Sequence, residues 1–387
     1  MISDITPVPL VAGPLVLYRH FIRMKEHKIL VISGDIPEAD PPDRTWDVVR
    51  LPRRLRLLRR PLTWPLFEEW RAVQIERETN AAVDHLAPDV ILSVWMTEYL
   101  LAASRIAAKR HLPLVIICHD DLERMLPNLP HLKLWARHRL AGIYRQAVSR
   151  LCVSEGMEKS FRARYGAPGT ILYPIGGTSQ PITHSPGNGA KRAESLRFGY
   201  AGRFGPSEFS ILLSLADLLR GLDGQLHLAS PSEGPLRETL RRHPAVVDQG
   251  LLTPEKTYSY FCQSVDVMVV AQSFEPQDRE MMETNFPSKL VDCSRFGLAL
   301  MIVSPPSGSA AVWAKAHLGA SLLVDRMDGN CLAEAVRRLS DVGERARLAE
   351  RLRHISQEDF SSDRIHSVLE DALQKAQENQ AVLGRQP

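Results

Sequence analysis

What the sequence lacks narrows the field before any motif is read. No apolar run approaches the roughly 18 to 20 residues that cross a bilayer, and the opening "MISDITPVPLVAG" has no basic segment followed by a long apolar stretch, so it reads as no secretory signal. Cysteine is scarce: Cys118, Cys152, Cys262, Cys293 and Cys331 are five, far apart, and no pair has a metal or redox spacing. Three of them fall in buried-looking runs, where cysteine acts as a small apolar residue; the expectation is reduced thiols in a cytoplasmic protein. There is no His-Glu-x-x-His and no pair of aspartates two positions apart, so no metal site is expected. A formal net charge of +3 does not announce a nucleic-acid binder. Repeats at periods of 20 to 50 residues are absent as well.

What is present is an ordinary globular composition, 44% hydrophobic and 24% charged, in 387 residues. That length exceeds what one core usually serves, so two domains are expected. In the first half, "KILVISGD", "DVILSV", "PLVIICHD", "RLCVS" and "TILYP" are short β-branched runs, as expected of parallel strands covered on both faces. Helical spacing separates them, as in 97–110 and 155–164. The second half repeats the scheme with "LRFGYAG", "QLHLAS", "AVVDQG", "VDVMVVA", "LALMIVS" and "SLLV". One helix there opens with Thr253-Pro254-Glu255, an N-cap, a proline at the first position and an acid in the first turn.

The pattern predicts an α/β protein of two Rossmann-like, doubly wound domains. The expected divisions are 1–178 for the first domain, 179–195 for a Pro/Gly/Ser-rich linker, and 196–360 for the second domain. A closing helix at 361–387 would carry Ile365, Val368, Leu369, Ala372 and Leu373 on one face and pack back on the first domain. Two such sheets facing each other would form a cleft lined by the C-terminal ends of the strands, where open α/β sheets bind ligands.

Candidate site residues are therefore sought just after strands. In "ETNFPSKLVDCSRFG", Pro287 suits a helix start and leaves the amides of Ser288, Lys289 and Leu290 free at a positive helix end, an anion site. Lys289 adds a point charge for phosphate, and Asp292, eight residues after Thr284, can accept hydrogen bonds from ribose hydroxyls. Taken alone, the stretch fits an ordinary strand-to-helix turn with a surface lysine equally well. In "GYAGRFG", the small Gly202 lets a phosphate approach the backbone and Arg203 can fork onto it. The dinucleotide glycine fingerprint is absent. His119, directly after a buried strand, could bond a sugar hydroxyl or move a proton, although a lone histidine there is more often structural. Gly13, in a turn before a helix, leaves bare backbone to face a ligand.

The run from Arg50 to Phe67 holds six arginines among leucines, followed by Trp64. It reads either as a peripheral contact with an anionic membrane surface or as a solvated loop docked by a leucine stripe.

Taken together and in order, "GYAGRF", "SVDVMVVAQSFE" and "FPSKLVDCSRFGLALMIV" resemble the donor domain of GT-B glycosyltransferases, specifically the large retaining family 4. The first half agrees through its Pro/Gly turn ahead of a helix, "HDD" after a strand, and "SRLCVSEGMEKSFRARYG". The resemblance implies a UDP- or GDP-linked sugar as substrate, with no separate cofactor. Arg203 and Lys289 would hold the diphosphate without metal, Asp292 would bind ribose, His119 would contact the donor sugar, and Gly13 would lie near the reacting phosphate. It further implies a saccharide or lipid-linked acceptor, on the inner face of the cell membrane where the basic run would dock. Two features depart from the family pattern. Glu208 stands where a lysine is common, and the family's paired glutamates fall on Thr284 and Asp292. Two rivals stay open, a GT-B sugar-nucleotide epimerase and a non-catalytic partner-binding subunit, the second kept alive by Glu208 and Thr284.

Overall fold

The computed structural model describes residues 1–9, 12–34, 43–51, 63–177 and 195–383. The expected linker, apart from residue 195, and the arginines at 53, 54, 56, 59 and 60 lie outside the described residues. The chain divides into two units, 1–175 together with 363–387, and 176–362.

The first unit runs α1 (Ala12–Phe21), β1 (Leu30–Gly34), β2 (Asp47–Leu51), α2 (Trp64–Leu86), β3 (Ile91–Val94), α3 (Thr97–Arg110) and β4 (Leu114–Cys118). It continues with α4 (Leu122–Met125), α5 (Pro130–Gln146), β5 (Ser149–Cys152), α6 (Glu155–Tyr165) and β6 (Thr170–Ile171). Two hydrogen-bonded ladders, β1-β2 and β3-β4-β5-β6, are joined by Ile2, which bridges Ile32 on one side and Ser93 on the other. The order is thus β2-β1-Ile2-β3-β4-β5-β6, all parallel. The chain's first strand is a single bridging residue, held by Ile2 N–H on Leu92 O at 2.9 Å and Ser3 N–H on Ile32 O at 3.0 Å. β3 and β4 are buried at every residue. Continuous Val/Ile/Leu runs produce that when helices cover both faces of a parallel sheet.

The second unit runs β7 (Arg197–Ala201), α7 (Pro206–Arg220), β8 (Gln225–Ala229), α8 (Pro235–Arg241), β9 (Val246–Asp248), α9 (Pro254–Ser264) and β10 (Val267–Ala271). A 3₁₀ turn (Pro276–Asp278) then leads to α10 (Arg279–Thr284), α11 (Ser288–Cys293), β11 (Ala299–Val303), α12 (Ser309–Ala316), β12 (Leu322–Val324), α13 (Gly329–Leu339) and α14 (Val342–Asp359). Strand order is β12-β11-β10-β7-β8-β9. Counted from the unit's own first strand this is 3-2-1-4-5-6 read from the other edge, the doubly wound arrangement whose direction of winding reverses between β7 and β10. Its core packs Phe198, Tyr200, Leu226, Val269 and Met301 of the sheet against Leu212 and Leu215 of α7.

The last helix, α15 (Ser362–Leu383), groups with the first unit. It buries Ile365, Leu369, Ala372, Leu373 and Ala376, while Val368 stays partly exposed. Among the described residues no helix is long and apolar enough to cross a membrane, and all five cysteines are free.

Candidate functional site

The reversal of winding in the second unit sets where a ligand can approach the sheet, because the loops leaving β7 and β10 part there. β7 ends at Ala201 and the chain turns at Gly202, whose φ is +109°. A side chain at that φ is strained, so glycine is what the turn requires. Arg203 follows, exposed, and among the described residues its guanidinium has no hydrogen-bond or ion-pair partner. Phe204 N–H donates to Ser232 Oγ at 3.0 Å. Gly205 then opens α7, with Pro206 at the first helical position, and its N–H donates to Glu208 Oε2 at 2.9 Å. Glycine has no side chain to answer, so this is the returning half of a capping box.

From the β10 side, α11 brings Lys289 to the same turn. Its Nζ donates to Tyr200 Oη at 2.5 Å and to the Arg203 carbonyl at 2.9 Å, and it lies 4.3 Å from the centre of the Tyr200 ring. The Tyr200 hydroxyl donates to the same Arg203 carbonyl at 2.7 Å. Burial lowers the lysine to about 8, against the Glu208 carboxylate, which favours the charged form. Burial also pushes the Tyr200 phenol well up, with Glu208 adding to it. Lys289 therefore meets the turn formed by Gly202 and Arg203, and Ser288 adjoins it in the chain.

Pro287 stands at the start of α11, as its cap residue. One expectation is corrected there. The Leu290 amide is not free: it donates to the Pro287 carbonyl at 2.9 Å, a tight turn that a six-residue helix makes at its start. The amides of Ser288 and Lys289 have no acceptor among the described residues. The Leu290 side chain is wholly buried and belongs to the core. Asp292 is half-buried on α11, and its carbonyl accepts from Arg295 N–H at 3.3 Å. Thr284 is buried at the end of α10 and donates to Glu280 O at 2.9 Å, so its hydroxyl proton is committed to its own helix.

His119 and Gly13 belong to the first unit. His119 directly follows β4; its Nε2 is buried with no partner, and burial lowers it to about 4, which leaves a neutral ring near neutral pH. His20 of α1, buried beside it, is lowered well below the ordinary value by burial and by the neighbouring His366 and His119. His20 Nδ1 meets His366 Nδ1 at 3.2 Å. Gly13 sits inside the first turn of α1 rather than in a turn before it, and a Cβ there would meet Ile5 at an ordinary 3.6 Å. Among the described residues, packing does not require glycine at that position.

Sequence reasoning missed Tyr200, which holds both Lys289 and the Arg203 backbone. It also missed the ion pairs that fix the turn after His119. Asp121, 2% exposed, pairs with Arg124 at 2.8 Å and with Arg164. Glu123, also buried, pairs with Arg137 at 2.9 Å and Arg164 at 3.2 Å and accepts from the Tyr165 hydroxyl at 3.1 Å. Pairing of this kind offsets the desolvation that so deep a burial imposes on a carboxylate. The signal was distance in sequence, since Arg164 stands 43 residues from Asp121. No group of three His, Cys, Asp or Glu among the described residues could hold a metal ion.

Comparison with known proteins bears on the fold. Residues 15–174 match the family described as Glycosyltransferase Family 4. No curated protein matches by sequence. Similar solved structures include Anabaena HepE in complex with UDP and glucose, at 14% identity, TM-score 0.66, over 96% of this chain and 98% of that one. Sucrose-phosphate synthase from Thermosynechococcus elongatus aligns at 15% identity, TM-score 0.65, over 99% and 98%. WaaG, a glycosyltransferase involved in lipopolysaccharide biosynthesis, aligns at 13% identity, TM-score 0.63, over 95% and 98%.

Proposed function

We propose that this chain, a GT-B glycosyltransferase whose residues 15–174 form a glycosyltransferase family 4 domain, moves a sugar from a UDP- or GDP-linked donor to a saccharide or lipid-linked acceptor. In this reading the transfer retains anomeric configuration and needs no metal. The observation that carries it is the convergence of Lys289 on the Gly202–Arg203 turn, where the winding of the second sheet reverses. The UDP held in the similar HepE structure supports a nucleotide sugar as the donor.

The chemistry follows from charge. As the glycosidic bond breaks, the departing diphosphate gains negative charge, and prearranged cations stabilise it most when it is fully developed. Lys289 supplies one cation, oriented by Tyr200 and the Arg203 carbonyl. Arg203, with its guanidinium uncommitted, supplies a fork for phosphate oxygens. Ser288 and Lys289 amides add donors, and Asp292 suits a ribose hydroxyl. The neutral ring of His119 can hydrogen-bond a sugar hydroxyl without adding charge, and the small Gly13 leaves backbone open to a ligand. The acceptor in this reading belongs to envelope polysaccharide or glycolipid synthesis, reached at an anionic membrane surface through Arg50 to Phe67.

Calorimetry with UDP and GDP tests the assignment. One of them binds in the presence of a chelator, and Lys289→Ala weakens it by about 1.5 to 3 kcal/mol, the range for a hydrogen bond to a charged group. Binding that vanishes on chelation, or that ignores Lys289→Ala, removes the site. A second reading, a partner-binding subunit without turnover, is favoured by the committed hydroxyl of Thr284. It predicts nucleotide binding without release of UDP or GDP from any donor sugar.

A further inference from the structure

The peptide unit between Arg203 and Phe204 is held at both of its polar edges. Its carbonyl, on Arg203, accepts from Lys289 Nζ at 2.9 Å and from the Tyr200 hydroxyl at 2.7 Å. Its N–H, on Phe204, donates to Ser232 Oγ at 3.0 Å. A trans peptide points these two groups in opposite directions, so one grip cannot slacken without turning the plane away from the other. The Ser232 hydroxyl also donates to the Phe204 carbonyl at 3.3 Å, so one side chain takes both polar groups of the residue after Arg203.

Ser232 is itself fixed from the neighbouring strands. Its N–H donates to Ser230 Oγ at 3.0 Å, and its carbonyl accepts from Arg237 Nη1 at 3.1 Å. Arg237 closes two bonds of 3.0 Å on the Asp248 carboxylate, which also accepts from Gly250 N–H at 2.9 Å. The exits of β8 and β9 thereby fix one hydroxyl, and that hydroxyl fixes the plane on which Lys289 rests. Water could satisfy a loop amide; a serine tied down in this way also sets its direction.

We propose that Ser232 is a positioning residue for the diphosphate site: it orients the Arg203–Phe204 peptide and, through it, the ammonium of Lys289. Its effect on nucleotide binding rests on the donor reading above, whereas its effect on Lys289 does not. The Arg203 carbonyl is one of two oxygens that the ammonium meets. Without Ser232 the plane can swing, and the charged lysine loses that oxygen while burial still disfavours it.

The test follows Lys289 directly, by NMR titration of its side chain in the ligand-free full chain. Its midpoint, about 8 in the wild type, falls by about 0.5 to 1 in Ser232→Ala, the range for one hydrogen bond. Ser232→Thr keeps the hydroxyl and restores the midpoint. Ser232→Cys, close to serine in size but a weak acceptor, shows the same fall should alanine disturb folding. In calorimetry Ser232→Ala weakens UDP or GDP, whichever the wild type binds, by about three- to tenfold. Its decline with rising pH also starts lower, while the matching nucleoside, which has no phosphate, binds both proteins alike. An unmoved Lys289 midpoint overturns the inference whatever the nucleotide does, and so does an equal fall in Ser232→Thr. A loss shared equally by the nucleoside overturns it too, as general loosening. A midpoint that falls as stated in a chain that binds neither UDP nor GDP leaves the positioning role standing and strikes only the donor reading.

Discussion

Lys289 is held by two opposing effects. The face of the Tyr200 ring and the Glu208 carboxylate favour its charge, while burial disfavours it, and burial prevails to bring the ammonium to about 8. A diphosphate binds the protonated form better, so its arrival raises the lysine's pKa. Affinity for UDP is therefore full below pH 8 and falls as the pH rises past it, by up to about tenfold per unit. Lys289→Arg flattens that decline, because a guanidinium stays protonated. Calorimetry from about pH 7 to about pH 10 checks it; parallel declines in the two proteins would take Lys289 out of the site. Arg203 could be picked out in the sequence because it follows a buried strand, and Lys289 because Pro287 marks the start of the helix that carries it. Tyr200 could not, since an aromatic inside a strand reads as core and its role depends on a lysine 89 positions away. The same holds for Asp121 and Glu123, whose shared partner Arg164 sits on α6.

At the scale of the element, the departure at Glu208 acquires a local cause. It stands at the third position of α7 and accepts from the Gly205 amide, tying the helix start to the turn that carries Arg203. A lysine there could not cap, because an ammonium accepts nothing. The acid's cost is negative charge near a proposed phosphate. Glu208→Gln keeps an accepting oxygen and removes the charge, so stability changes by less than about 1 kcal/mol while UDP binds a few-fold tighter, an advantage that shrinks with added salt. Thermal unfolding and titration at two ionic strengths measure both; weaker binding in Glu208→Gln would mean that the carboxylate itself serves the ligand. Elements with strong local signals were legible, among them α9, whose Thr253 accepts from Lys256 N–H, and the Val/Ile runs of β4, β10 and β11. β2 was not, because Asp47–Leu51 is an edge strand with Asp47 and Arg50 exposed and lacks a continuous apolar run. The break between α10 and α11 was also hidden: Asn285 and Pro287 split what the pattern allowed as one turn before one helix.

At the scale of the molecule, both units show the same winding, with Ile2 playing in the first the part that β7 plays in the second. The doubly wound pattern was readable because strand and helix periods alternate, whereas a one-residue strand carries no period at all. The return of α15 to the first unit has an apolar face behind it: Leu369 and Ala376 are wholly buried. It also has polar ties, from Arg23 to Asp363 at 2.6 Å and from His27 to Glu370 at 2.7 Å. The exposed ion pair is worth little, so the apolar face decides. Leu369→Ala removes a fully buried side chain at a cost of about 2 to 5 kcal/mol. Because α15 is last in sequence yet packs with residues 1–175, that loss falls on the first unit. Amide hydrogen exchange reads it by place: exchange quickens in β3, β4 and β5 and stays unchanged in β7, β10 and β11. Quickening confined to β7, β10 and β11 would assign α15 to the second unit, and none anywhere would make its buried face immaterial to stability.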